Sequence, residues 1–203
     1  FLAGMEMQRY LWATGATREQ CAHVVVKNKR NALYNPVAAF GAKLELEDVL
    51  NDELISDPLG KQDISAHADG ALVVVLAAAE LAPDLDNEPV WIRGIGWCND
   101  APSLETRAWG RAVYAEGAGK MAYKMAGIRN PMEEIDFAEI DDAFSYKELQ
   151  HLEGLGFCQF GEAGMLTEEG ATDVGGHLPV NVSGGSLGCG HLLRDSEITE
   201  LKD

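Results

Sequence analysis

Four of the seven positions from Gly184 to Gly190 are glycine, and the run follows directly on an alternating segment, His177 to Val182. The alternation predicts a short strand. The glycines predict a bend in which φ can be positive and the backbone can come close to a ligand. The bend ends on His191. An imidazole, with a pKa of about 6.5, can act there as base or hydrogen-bond donor near neutrality. A flexible surface turn with an incidental histidine fits the same residues, and residue type alone leaves both readings open.

The rest of the chain reads as alternating helices and strands. Leu2, Met5, Tyr10 and Ala13 give residues 2–13 helical spacing, Gly15 ends that stretch, and Thr17 caps a second helix reaching about Arg30. Asn35-Pro36 breaks the chain, residues 45–50 suit a short helix, and Asp57-Pro58-Leu59-Gly60 is a turn. Ala71 to Ala79 reads as a buried strand passing into a helix, and Val90 to Gly96 as a strand. A long helix is expected over 108–127. Its Ala112, Ala115, Ala118 and Ala122 would let a neighbouring backbone approach closely. Pro131 opens a short helix, another runs from about Ser145 to Gly154, and the glycine- and acid-rich stretch 161–176 is expected to be surface loop. This order predicts an α/β layered fold, a mixed sheet flanked by helices. We expect three parts: a helical and loop region over 1–70, an α/β domain over 71–193, and an acidic tail over 194–203.

With 203 residues, 46% of them hydrophobic, the chain can bury one sizeable core. A net charge of −17 repels nucleic acid and anionic lipid, so neither is an expected partner. No apolar run approaches the ~18–20 residues that span a bilayer, and the first residues lack the marks of a signal peptide. Cys21, Cys98, Cys158 and Cys189 lie far apart with no CxxC, which fits a reduced, cytoplasmic setting. No pair of histidines has metal-ligand spacing, so no metal is expected. His23, His151 and His177 read as surface or structural residues.

The order Asn181-Val182-Ser183-Gly184-Gly185, then Gly190-His191 after four residues, resembles the pattern near the carboxy terminus of thiolases. A second segment, Asp141-Asp142-Ala143-Phe144, is similar to the Asn-Glu-Ala-Phe of thiolases and the His-Asp-x-Phe of sterol-carrier-protein-type thiolases. A third, weaker match is Ser65 with Asp69-Gly70-Ala71. The resemblance covers about residues 1–193 and points to the archaeal and bacterial thiolase-like branch, of which this would be the carboxy-terminal portion.

It implies that His191 activates a nucleophilic cysteine and helps bind the thioester oxyanion. It places Asp141 where the family orients an oxyanion-hole water. Ser65, Phe144, Asn181, Gly184, Gly185 and Gly190 would then face a coenzyme A thioester, the substrate, with no permanently bound cofactor. Asp141 departs from the family residue: a carboxylate there repels an oxyanion unless protonated. Asp141 and Asp142 could instead cap the following helix, and Phe144 could be plain core. After His191 the family continues with proline and a Gly-Ala-Thr-Gly run, where this chain has Leu192-Leu193-Arg194-Asp195.

The family's nucleophilic cysteine lies in an amino-terminal half that this chain lacks, and the family does not use the position of Cys189. The resemblance therefore implies part of an acyl-CoA acyltransferase of lipid metabolism, incomplete alone, with acyl-CoA as substrate and a homodimer or tetramer as assembly. A retro-aldol lyase on CoA thioesters with an OB-fold partner protein is the main alternative. A non-catalytic scaffold subunit is the third. The acyl-CoA readings require the glycine bend and the acidic turn before Phe144 to meet in space.

Overall fold

The computed structural model describes residues 1–84 and 88–192, so the expected acidic tail over 194–203 lies outside the described residues. Helix α1 spans Leu2–Thr14 and stops at Gly15, whose φ of 77° is a left-handed cap. Helix α2, Arg18–Ala32, opens on the expected Thr17 cap: the Thr17 hydroxyl accepts from Gln20 N, and the Gln20 side chain accepts from Thr17 N. The short α3, Leu46–Leu50, follows. Its last carbonyls, Val49 and Leu50, accept from the Arg18 guanidinium.

Strands β1 (Leu54–Ser56) and β2 (Leu59–Gly60) form an antiparallel hairpin around a cis Asp57–Pro58 bond. Strand β3, His67–Ala68, comes next, then a 3-10 turn over Ala79–Asp84. Five helices follow: α4 (Val113–Ala126), α5 (Pro131–Glu134), α6 (Ser145–Gly154), α7 (Ala163–Glu168) and α8 (Gly185–Cys189). Strand β4, His191–Leu192, pairs in parallel with β3. The fold is mixed α/β, as expected, with its sheet content in two two-stranded pieces among the described residues.

One core runs through the molecule. Met7 and Tyr10 of α1, Val24 and Val25 of α2, Tyr146, Leu149 and Leu152 of α6, and Leu178, Val180 and Leu187 are all fully buried in it. Both sides of position 70 therefore contribute to the same interior. Side chains of this size each contribute roughly 1.5–3 kcal/mol when buried. Helix α2 is central, packing on α3, α6, α7 and α8.

Several expectations need correction. Residues 161–176 are not all loop: α7 lies within them, because Ala163 and Thr167 are buried and Gly164 meets the Gln20 side chain of α2. The two apolar segments expected to be strands have no ladder partner among the described residues. Val73, Val75 and Val90 are 89%, 88% and 95% exposed. Strand propensity needs a neighbouring strand to become a strand. Among the described residues the stretch 177–182 contributes a single bridge, Val180 to Ala138.

The long helix begins at Val113 rather than 108, but its small face acts as expected. Gly94 and Gly96 lie directly on Ala122 and Ala118, and Gly154 of α6 on Ala112 and Ala115. No helix among the described residues is long and apolar enough to cross a membrane.

Candidate functional site

Helix α6 is the platform for the site. Ser145 at its start donates to the Asp63 carboxylate at 2.6 Å, and Ser145 N donates to Asp63 O at 2.9 Å. These bonds lay residues 63–65 along the acidic turn. Ser65 is buried, and both its backbone N and its hydroxyl donate to Ala143 O, at 2.9 and 3.0 Å. One residue on, Ala66 O accepts from His191 N at 2.7 Å. The segment 64–68 therefore joins the acidic turn to the end of the glycine bend.

The two segments also touch directly. The Asp142 carboxylate, fully buried, accepts from Ser186 N and Leu187 N at the start of α8. Neither acid caps α6, whose first residue position carries no side-chain cap. Asp142 caps the helix across from it, and Asp141 turns its Oδ1 to Ala143 N at 3.2 Å while remaining exposed. The spatial meeting that the acyl-CoA readings require is thus present.

Beneath both loops lies a buried polar network. The Asn28 amide donates to Asp142 at 2.8 Å and to Glu148 at 2.6 Å. Glu148 also accepts from the Asn181 amide at 2.8 Å and pairs with Lys27 at 2.9 Å. Lys27 reaches on to Val180 O at 2.8 Å. Burial and then the neighbouring Glu148 charge push the Asp142 carboxyl up to about 7. Near neutral pH Asp142 is therefore partly protonated, where an ordinary carboxylate would be ionised.

Lys27, Asn28 and Glu148 were not singled out from the sequence. The usable signal was a polar pair, Lys27-Asn28, on the otherwise apolar helix face of Cys21, Val24 and Val25. It matches a glutamate four residues after Phe144.

Asn181 takes φ of 52° and is buried. Its side-chain oxygen accepts from Ile140 N at 2.9 Å, so both ends of its amide are engaged within the protein. The glycines of the bend were expected to approach a ligand, and their close neighbours here are protein atoms. Gly184, at φ of 108°, lies on Ala32, and Gly185 on the Asp142 carboxylate. Gly190, at φ of 102°, lies on Ala68 and the Phe40 ring. The bend is glycine-rich because α8 is pressed onto the end of α2.

Gly188 tests this. An added Cβ would sit 2.5 Å from the Ala32 Cβ and 2.9 Å from Asn28 O. Inside a free helix Gly→Ala gains about 1 kcal/mol. Here Gly188→Ala is expected to cost about 1–3 kcal/mol through overpacking, read as a lower urea midpoint. Adding Ala32→Gly should restore only part of it, since Asn28 O stays 2.9 Å from the new Cβ.

His191 is half-buried at the start of β4, in register with His67 of β3. Phe144 is partly buried, its ring stacked on Tyr146 at 5.9 Å. Cys189 donates to Ser183 O at 3.3 Å, and burial raises its thiol pKa, which disfavours the thiolate. Among the described residues, no group of three or more His, Cys, Asp or Glu is placed to hold a metal ion.

Comparison with known proteins fits this arrangement. Residues 101–202 match the family described as thiolase C-terminal domain-like. The chain belongs to that family. It is 36% identical over 203 residues to an acetyl-CoA acetyltransferase of Methanothermobacter thermautotrophicus, covering 100% of this chain and 52% of the relative. It is 32% identical to the 17-hydroxy-3-oxo-4-pregnene-20-carboxyl-CoA lyase of Mycobacterium tuberculosis, covering 97% of this chain and 52% of that one. A solved Ltp2-ChsH2(DUF35) aldolase superposes with a TM-score of 0.84 at 33% identity, covering 93% of this chain and 50% of its own. This thiolase-family chain spans about half the length of the curated relatives it matches. Those relatives include both acyltransferases and lyases.

Proposed function

We propose that this chain forms the carboxy-terminal part of an acyltransferase acting on coenzyme A thioesters, with His191 as its acid–base residue. The observation that carries the reading is the three-way contact of segments 64–68, 141–144 and 184–191 around Ala66, Ala143 and Ser186. It ties Ser65 and the turn that carries Asp141 to the segment that ends on His191, and the resemblance assigns all three residues to positions the family uses.

In this reading a cysteine contributed from outside the chain gives its proton to His191 and attacks the thioester carbonyl. The carbon–sulfur bond to coenzyme A breaks, and the departing thiolate takes a proton. The His191 imidazolium also stabilises charge on the carbonyl oxygen. Cys189 is the poorer candidate for this nucleophile, since burial raises its thiol pKa and the thiol donates to Ser183 O.

Asp141 supports a second reading. Its carboxylate is exposed and accepts only from Ala143 N among the described residues. A free carboxylate suits a base that removes the proton of a β-hydroxyl. The bond between the α and β carbons then breaks, leaving a thioester enolate to be protonated. The similarity to a lyase and to an aldolase favours this alternative.

Acid quenching of the full-length protein with an acyl-labelled CoA thioester separates the two. The acyltransferase reading predicts label covalently held on protein and released by hydroxylamine. Turnover of a β-hydroxyacyl-CoA with no trapped label would overturn it in favour of the lyase.

A further inference from the structure

Behind Asp141 lies a second buried polar group that the acyl-transfer reading does not use. His151, on α6, is buried, with Nδ1 2.8 Å from Asp141 O and Nε2 2.7 Å from the Tyr114 hydroxyl of α4. The Tyr114 and His151 rings meet edge-on, with centroids 5.5 Å apart. A carbonyl oxygen only accepts, so Nδ1 carries a hydrogen. In the neutral ring Nε2 presents its lone pair, and the Tyr114 hydroxyl donates to it.

We propose that His151 and Tyr114 are positioning residues for Asp141, with a neutral, Nδ1-protonated imidazole fixing the backbone of the acidic turn. The proposal rests on the reading of Asp141 as a site residue. The dyad anchors the Asp141 backbone from the protein interior and leaves the carboxylate at the surface. Supporting a reacting loop by a bond to its carbonyl is a usual way to orient a side chain that cannot be held from its own tip.

The surroundings favour the neutral ring. Burial lowers the His151 pKa, partly opposed by the Asp141 carbonyl and charge, while Lys147 lowers it and Glu6 raises it. Lys147 of α6 is itself bound to Glu6 of α1 at 2.6 Å, and Arg107 approaches the same Glu6 oxygen at 3.6 Å. Tyr114 stays a neutral donor, since burial and Glu6 raise its pKa.

A depressed folded pKa means that the unfolded state binds the proton first as pH falls below about 6.5. The acidic turn is therefore anchored at neutral pH. It loosens as pH drops through the lowered titration, because a buried imidazolium carries a desolvation cost that the opened turn avoids.

The test is side-chain nitrogen NMR of the labelled 203-residue chain, with amide exchange at Ser65, whose N donates to Ala143 O. At neutral pH His151 should show the neutral Nδ1–H pattern. Tyr114→Phe should shift its Nε2 signal and lower Ser65 protection about tenfold, as expected for a local opening. That protection should also fall on acidification in the wild type, ahead of global unfolding. An Nε2–H tautomer or an imidazolium at neutral pH would overturn the proposal. So would Ser65 protection unchanged in Tyr114→Phe. Neither readout involves turnover, so these results and the acyl-trapping result stand or fall separately.

Discussion

Glu148→Ala is expected to destabilise the chain by about 3–5 kcal/mol, the usual cost of leaving one member of a buried ion pair uncompensated. The Lys27 and Glu148 side chains are 3% and 0% exposed and 2.9 Å apart. Removing the carboxylate leaves the Lys27 ammonium with Val180 O as its remaining partner. It also strips the Asn181 amide of its acceptor. Chemical denaturation measures the loss. The double variant Lys27→Met/Glu148→Leu removes both charges and should recover at least half of it. A Glu148→Ala chain with an unfolding free energy within about 1 kcal/mol of wild type would show that the network does not hold these loops together.

Helices α1, α2 and α6 were legible because their signals are local. They are apolar spacing, the Thr17 cap and the Gly15 stop. The small face of α4 was legible for the same reason, although its partners Gly94, Gly96 and Gly154 were not. The apolar segments around Val73 and Ile92 misled because a strand is a relation between chains of atoms far apart in sequence. A cap on the following helix was one of the readings open for Asp142, and it does cap a helix, but α8 rather than α6. Which helix an acid serves depends on tertiary contact, and no local rule supplies it.

At the site, the motif residues were found because their order is distinctive. Their jobs were less visible. A side chain at Gly184, Gly188 or Gly190 would meet Ala32, Ala68 or Phe40, a packing demand that the order of residues does not show. Asn181 spends its amide on Ile140 and Glu148. His151, read as surface or structural, is buried against the backbone of Asp141. Buried polar residues sit at single positions without periodicity, so only the fold reveals their partners.

The account turns on His191. It stands at the end of the glycine bend, its backbone tied to Ala66 and its loop capped by Asp142. A general acid–base residue contributes about 10²–10⁴-fold to rate. The direct measurement is kcat/KM of the full-length protein with an acyl-CoA substrate, wild type against His191→Ala, with circular dichroism confirming an unchanged fold. The account predicts a fall of about 10²–10⁴-fold, carried mainly by kcat. A folded His191→Ala protein with wild-type kcat/KM would contradict it.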